Sequence, residues 1–551
     1  MDVEGISWQN VAQRFQKQRL ASIPVKWLIP PLRLDELQRS TTRVTELLPR
    51  LLSHNELQIT SLGVTALAEG IQKGLFSCIQ VAEAFCHQAA VAQQLTNCLT
   101  EILFTEALDH ARRLDDILRS TGKPIGPLHG VPVSVKDHFN IKGQYTTAGY
   151  IAYGNMPVKD EDSAIVQILR KAGAVIYTKT TNPQTMMVLE TTSNIYGRTV
   201  NPYNTHLSPG GSSGGESALL AMNGSPLGVG SDIGGSIRVP AAYTGLYGLK
   251  PSAHRVPSAG LVCTGLGAES ISGVAGPLAH NVEDLDIFMR IIGDSQPWLK
   301  EPVIALPWIS QVELMKDRKL TFGIMLWDEV VRPHPYITKA LNEVSEKLKN
   351  AGHEVIEFKA YDHLRAWEEI LLPLYFTDGG SEIKQTLRAG NEPMLPSAKR
   401  LLTSPQVKER TMHELWKLNL ARDQYRCEYL KKWADTASKS SSNRPMDILI
   451  CPAATTSGTP HDYKPWWGYS AIWNLLDYCG GIIPVGSVLE ADAYPHDYKP
   501  VNDLDRENVL LYKGNNYLGM PIGIQLIAKP YEDEKLVGAM DIVDKVVNGS
   551  S

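Results

Sequence analysis

The chain has 551 residues, with 54 Lys and Arg against 59 Asp and Glu, and a formal net charge of −5. Hydrophobic residues make up 43% and charged residues 21%, which is typical of a folded globular protein and excludes disordered and collagen-like chains. The slightly acidic balance argues against a nucleic-acid partner. At this length we expect one large elaborated domain or two packed sub-regions.

Cysteine usage and the distribution of apolar residues indicate the compartment. The 7 cysteines are scattered, without a CxxC pair or a histidine at zinc-finger spacing, which predicts reduced thiols and no metal site. The N-terminal segment 1–20 lacks the apolar stretch of a signal peptide. The sequence contains no run of about 18 apolar residues, so no membrane span is predicted. We therefore expect a cytoplasmic protein with no membrane partner.

The N-terminal part of the chain, residues 1–120, predicts a helical region packed on the core. Leu62, Ala66, Ile71 and Leu75 recur near helical spacing, and the same pattern continues to about residue 118. The Gly- and Pro-rich tract 122–130 then ends the helices.

From residue 121 onward, predicted strands alternate with predicted helices. Val131, Val133 and Val135 alternate with other residue types, which predicts a strand that ends at Lys136. We expect a helix capped by Asp162 and stopped by Gly173. Further strands are predicted at 175–179, 227–232, 322–327, 353–358, 447–451 and 522–527. The pattern predicts a single α/β domain over 121–551 with a mainly parallel or mixed sheet, and a more helical insertion at about 360–440.

Two Gly- and Ser-rich segments, 208–217 and 230–240, carry the strongest chemical signal. Ile233, Gly234, Gly235 and Ser236 directly follow the predicted strand 227–232, and we expect them to open a helix. Consecutive backbone amides at such a point bind anions. A hydroxyl at Ser236 could attack a carbonyl whose oxygen develops its negative charge against the same amides, which is the arrangement of an oxyanion hole.

Other interpretations of these segments stay open at this point. A phosphate-binding loop would normally carry GxxxxGK[ST] or GxGxxG, and neither pattern is present. A serine-hydrolase elbow would match GxSxG centred on Ser212 or Ser213, but it needs an acidic residue and then a histidine further along. A purely structural Gly-rich turn is the third possibility. Lys136 itself is either a solvated strand end or a buried base.

Taken together, the two serine segments and the strand-end lysine resemble the amidase signature family. The resemblance rests on four blocks: 126–137, 178–186, 197–202 with 210–215, and 232–240. They cover about residues 60–290 densely, and weaker similarity extends to 519–525. The resemblance implies the amidase signature fold, a large mixed β-sheet covered by α-helices on both faces, with a helical N-terminal region.

For the chemistry, the resemblance implies a Ser–Ser–Lys triad that forms an acyl-enzyme without a cofactor. Lys136 would be the base, Ser212 the bridging residue and Ser236 the nucleophile, with a cis peptide between Gly211 and Ser212. An ordinary lysine has a pKa near about 10.4, so that only about one in 2,500 is neutral at pH 7. Lys136 must therefore be buried, because burial disfavours the charged amine.

The residues around the triad have two possible roles each. Asp232 and Arg238 either touch the substrate or fix the loop through hydrogen bonds. Ser213 either donates to the triad or satisfies the loop backbone. Met186, on a predicted helix, and Trp467 either pack in the core or line the substrate pocket. The residues expected against the substrate are Met186, Gly211 and Trp467.

Segments outside the four blocks indicate the substrate class. Residues 468–477 and 8–24 resemble fungal acetamidases and general amidases. The expected reaction is hydrolysis of a small or aromatic primary carboxamide to carboxylate and ammonia. An N-acyl amide or ester hydrolase with the same triad is one alternative, and a non-catalytic binding protein that keeps the fold is another. A homodimer is expected only by analogy with the family.

Overall fold

The computed structural model describes residues 7–489, 493–495, 497–512 and 514–549. Its strands are β1 (Leu99–Ile102), β2 (Pro132–Lys136), β3 (Val175–Thr180), β4 (Thr192–Ser193), β5 (Gly197–Arg198), β6 (Leu227–Asp232), β7 (Tyr247–Lys250), β8 (Val274–Ala279), β9 (Thr321–Ile324), β10 (Glu354–Glu357), β11 (Ile448–Pro452), β12 (Cys479–Ser487) and β13 (Pro521–Ala528). An 11-stranded sheet has the order β1-β3-β2-β6-β8-β7-β12-β13-β11-β9-β10, and β4 pairs with β5 alone.

The large sheet is mixed, as the sequence predicts. Strand β2 lies between β3 and β6 and runs parallel to both. Strand β9 runs parallel to β10 and β11. The other pairs are antiparallel. The predicted strands each overlap an observed one, so the α/β class is confirmed.

Helices dominate the chain up to residue 121, where they span Trp8–Ala21, Pro31–Ser40, His54–Thr60, Val64–Gln72, Cys78–Thr96 and Phe104–Thr121. Ser77 caps the fifth helix, Cys78–Thr96. Its hydroxyl accepts from the amide of Gln80, and the side chain of Gln80 accepts from the amide of Ser77. The sequence did not predict strand β1, which lies between the last two helices and pairs antiparallel with β3 at the sheet edge. The N-terminal region thus contributes to the central sheet.

The remaining helices surround the sheet at Ile151–Gly154, Ala164–Lys171, Gly214–Ala221, Arg238–Tyr243, Val282–Asp294, Val312–Met315, Pro335–Asn350, Ile472–Leu475, Asp503–Leu511 and Asp533–Asn548. The expectation that Asp162 caps one of them is wrong, since Ser163 is the cap residue of Ala164–Lys171. Asp162 instead accepts from the amide of Lys142 and forms an ion pair with Arg170 at 3.0 Å. No helix in the described ranges is long and apolar enough to span a bilayer.

The segment 360–440 consists mainly of helices, at His363–Arg365, Ala366–Leu371 (a π-helix), Leu372–Tyr375, Ser381–Ala389, Pro396–Leu402 and Met412–Ala434. Its buried side chains form a second hydrophobic cluster together with residues 466–478. The cluster contains several large aromatic rings, including Trp367, Trp433 and Trp473. Each such ring buries a large apolar area.

Sheet topology decides where the chemistry lies. Strands β2 and β6 are parallel and in register through Val135 and Val229, so both end at the same edge of the sheet. Lys136 is the last residue of β2, and Asp232 is the last residue of β6. The amine at the end of β2 therefore lies beside the loop that leaves β6.

Candidate active site

Lys136 lies in the interior with two hydroxyl partners. Its side chain is fully buried, and Nζ donates to Oγ of Ser212 at 2.6 Å and to Oγ of Ser231 at 3.0 Å. Among the described residues, no carboxylate forms an ion pair with Nζ. The amine is therefore buried with neutral partners only.

This environment shifts the pKa of Lys136. Burial lowers its pKa to about 7, and the nearby carboxylates of Asp232 and Glu216 oppose the shift without reversing it. At that value about half of the amines are neutral at pH 7, against about one in 2,500 for an ordinary lysine. The site thus holds an amine that can accept a proton near neutral pH.

Ser212 lies in a tightly packed loop. The peptide bond between Gly211 and Ser212 is cis, as the family resemblance implies. A Cβ atom on Gly211 would collide with the backbone of Glu190, so only glycine fits there. The loop leads directly into the helix Gly214–Ala221, which is buried on all sides.

Backbone contacts join the loop of Ser212 to the loop of Ser236. The amide of Ser213 donates to the carbonyl of Ser236 at 3.1 Å. The hydroxyl of Ser213 donates to the carbonyl of Ser231 and accepts from its amide, both at 3.3 Å. The hydroxyl of Ser213 therefore binds backbone groups of β6. Ser236 is almost completely buried, as is Ser212.

Asp232 and Arg238 form a buried ion pair that holds the loop between them. Nη2 of Arg238 lies 2.9 Å from Oδ1 of Asp232, and Nε donates to Oδ2 at 3.0 Å. The same carboxylate accepts from the amides of Gly235 at 2.8 Å and Ile237 at 3.1 Å. Burial alone would raise the pKa of Asp232, but the guanidinium outweighs it and holds that pKa well below its usual range.

Arg238 also ties this loop to distant parts of the chain. Nη1 donates to the carbonyl of Ser470 at 2.9 Å and to Oε1 of Gln525 at 2.7 Å. Nη2 donates to Oδ1 of Asn474 at 2.7 Å. Each bond to a charged donor is stronger than a neutral one, so the set fixes the loop firmly.

The four residues expected as oxyanion donors lie in the turn before a helix and not inside it. The expectation that they open the helix is wrong, because the helix begins at Arg238. The amide of Gly235 already donates to Asp232, whereas those of Ile233, Gly234 and Ser236 have no acceptor within the described chain. The carbonyls of Ile233 and Gly234 accept from the hydroxyls of Tyr375 at 2.5 Å and Ser470 at 2.7 Å.

Gly235 has a separate structural role in this turn. Its φ is +119°, and a Cβ atom there would collide with the side chain of Ser470. Both the backbone angle and the space exclude other residues.

The residues expected against the substrate lie in two places. Trp467 lies beside the turn that leads to Ser236, because a Cβ atom placed on Gly234 would stand 3.1 Å from its ring. Met186 is buried in the same hydrophobic cluster as Trp467. The expected helix at Met186 is absent, since Pro183 precedes a turn in which Thr185 and Met186 have positive φ. The β-turn after Pro183 prevents this segment from forming a helix.

The sequence analysis assigned no role to three contributors to the site. Ser231 holds the amine, and Tyr375 reaches Ile233 from the helical segment 360–440. Glu216 is fully buried and accepts from the hydroxyls of Ser134 at 2.6 Å and Thr180 at 2.8 Å. Burial raises the pKa of Glu216 to about 8 in spite of these bonds.

Comparison with known proteins decides the family. The profile of the Amidase family matches residues 80–537, well over half of the 551-residue chain. The chain belongs to the amidase family. An amidase of Gibberella zeae is 38% identical over 554 residues, covering 98% of this chain and 100% of the relative. The acetamidase of Aspergillus oryzae is 36% identical over 549 residues, covering 98% and 99%.

A solved structure extends the comparison to the fold. A fatty acid amide hydrolase superposes with a TM-score of 0.91 at 33% identity, and the match covers 98% of this chain and 95% of that one. The chain is therefore a hydrolase that acts on amides and has the amidase signature fold.

Proposed function

We propose that this amidase hydrolyses small or aromatic primary carboxamides through Lys136, Ser212 and Ser236. The observation that carries the proposal is the buried amine of Lys136, 2.6 Å from the Ser212 hydroxyl and with its pKa lowered to about 7 by burial. A neutral amine keeps two N–H groups, so it can donate to Ser231 while its lone pair accepts the proton of Ser212.

Acylation follows from this arrangement. Ser212 passes its proton to Nζ of Lys136 and takes the proton of Ser236, whose oxygen forms a bond to the amide carbon. The carbonyl oxygen becomes negative and is stabilised by the free amides of Gly234 and Ser236. One such donor typically lowers the barrier by about 2.7–4 kcal/mol.

The breakdown of the intermediate reverses the proton path. Lys136 returns its proton through Ser212 to the amide nitrogen, and the C–N bond breaks with release of ammonia. A water molecule then gives its proton along the same path while it attacks the ester of Ser236. Lys136 returns this proton through Ser212 to the Ser236 oxygen as the C–O bond of the ester breaks. The carboxylic acid leaves and loses its proton to the solvent, and the three residues regain their starting protonation states.

The similarity to the acetamidase of Aspergillus oryzae supports a small primary carboxamide as the substrate. The aromatic side chains around Trp467 support acceptance of a single-ring acyl group. Reduced cysteines, all of them free thiols, support a cytoplasmic location for the enzyme.

Replacement of the nucleophile tests the proposal. Ser236→Ala should reduce ammonia release from acetamide, benzamide and indole-3-acetamide by more than about 10⁴-fold while the protein stays folded. Ser441→Ala, at an exposed loop serine, is the matched control and should retain activity. Turnover by the folded Ser236→Ala protein at the wild-type rate would refute the assignment.

A second candidate is hydrolysis of N-acyl amides with longer chains. The observation in its favour is the 0.91 TM-score with a fatty acid amide hydrolase. Attack by Ser236 does not depend on the leaving group, so esters are possible substrates for the same reason. Comparing kcat/KM for acetamide, a C18 primary amide and their matching ethyl esters separates these candidates.

A further inference from the structure

A cavity of about 370 Å³ lies between the helical segment 360–440 and residues 463–467 and 504–508. Its lining includes the aromatic residues Trp367, Trp466 and Trp467 and the charged residues Arg400 and Glu507. None of the three proposed triad residues lines this cavity.

Trp467 borders both this cavity and the turn that leads to Ser236. The residue lines the cavity, and a Cβ atom placed on Gly234, in that turn, would stand 3.1 Å from its ring. An extended acyl chain could not pass this point without displacing the ring, and closely packed interiors resist such displacement.

Contacts on both sides hold Trp467 in place. Its carbonyl accepts from the amide of Ser470 at 3.0 Å, and Ser470 in turn donates to the carbonyl of Gly234. Its ring centroid lies 5.4 Å from that of Trp367, which lies 6.1 Å from that of Trp466. Trp466 is itself anchored, since Nε1 donates to Oδ2 of Asp328 at 2.5 Å.

We infer that the indole of Trp467 is the specificity-determining floor of the acyl site. It limits substrates to short aliphatic or single-ring primary carboxamides and keeps the cavity behind it closed to the acyl chain. The inference rests on the proposed function, because it takes Ser236 as the nucleophile. Removing the ring joins the cavity to the acyl site and makes room for longer chains.

Labelling of Ser236 by alkyl fluorophosphonates of different length tests this floor. Ser236 Oγ forms a bond to phosphorus and fluoride leaves, so the rate reports access of the alkyl chain independently of amide turnover. The wild-type enzyme should react at least tenfold faster with the ethyl than with the octyl compound. Trp467→Ala should reduce that ratio at least tenfold, and Trp467→Phe should reduce it two- to threefold.

The control variant is Trp416→Ala, because Trp416 is 61% exposed on the helix Met412–Ala434. It should leave the ratio unchanged. Two results would overturn the inference about Trp467: an unchanged ratio in folded Trp467→Phe and Trp467→Ala, or equal rates of the wild-type enzyme with both compounds. Neither result would contradict the proposed function, which ammonia release tests separately. Failure of both compounds to label Ser236 would instead refute the proposed nucleophile.

Discussion

Lys136 and Lys179 lie on neighbouring parallel strands, and both are completely buried. Lys179 is in register with Val135, so the two amines point to opposite faces of the sheet. Within the part of the chain that the structure describes, the hydrogen-bond partners of Lys136 Nζ are only the hydroxyls of Ser212 and Ser231. Nζ of Lys179 lies 3.5 Å from a carboxylate oxygen of Asp137 and donates to the carbonyl of Tyr145 at 2.6 Å.

The difference lies in the direct partners of the two amines and not in their burial. Burial lowers the pKa of both lysines and nearby carboxylates oppose the shift at both, but of the two only Lys179 forms an ion pair within the described residues, with Asp137 at 3.5 Å. A charge paired inside the protein is held by its counter-ion, and breaking such a pair is costly. The Lys136 amine has no paired carboxylate within the described chain, so it can exchange its proton near neutral pH.

The largest expected effect follows replacement of Lys136. Lys136→Met removes the proton acceptor, and ammonia release at pH 7 should fall by about 10²–10⁴-fold. Because Met has a similar volume and no buried charge pair is broken, the free energy of unfolding should change by less than about 1.5 kcal/mol. Urea unfolding and an amide assay on the same preparation measure both. Wild-type activity in Lys136→Met would contradict the role of the base.

At Lys179, on the other face of the sheet, replacement should mainly reduce stability. Lys179→Met leaves Asp137 buried without its counter-ion, and the free energy of unfolding should fall by about 3–5 kcal/mol. The double variant Lys179→Met with Asp137→Asn should recover part of this loss, because no unpaired charge remains. Urea unfolding of the three proteins provides the comparison. A single variant as stable as wild type would show that the pair is not needed.

The smallest effect concerns the second partner of the amine. Ser231→Ala removes a hydrogen bond that favours the charged amine more than the neutral one, so the pKa of Lys136 should fall further. The acid limb of the kcat/KM profile should shift to lower pH by less than about one unit. Ser231→Thr keeps the hydroxyl and should restore the wild-type profile. A shift to higher pH in Ser231→Ala would contradict this account of the contact.

The sequence predicted the strands that carry the site, because β2 alternates Val133 and Val135 with other residues, β6 alternates Leu227 and Val229 with glycines, and both end in polar residues. It did not predict β8, which contains Gly276 and Pro277, or β12, which contains three glycines and Pro484, because both residue types weaken strand signals. Strand β1 has only four residues, too few for a period to stand out between two strong helices.

The sequence predicted which residues form the site, but not the contacts that hold the loop of Ser236 in place. The two serine segments and Lys136 stand out from local patterns alone. Tyr375 and Ser470 reach the loop of Ser236 across more than a hundred residues of chain. Such contacts depend on how the helices pack over the sheet, so they cannot be predicted from the local spacing of residues. The same holds for the ring of Trp467, which lies against Gly234.

The pH dependence of Ser236 labelling tests the central claim most directly, because it reports the proton acceptor without the later steps of turnover. With a short fluorophosphonate, the second-order rate constant should rise with pH and reach half its maximum near pH 7, where the buried amine of Lys136 loses its proton. The rise should be absent in Lys136→Met. A midpoint near about 10.4, the ordinary pKa of a lysine, or an unchanged profile in Lys136→Met would contradict the account.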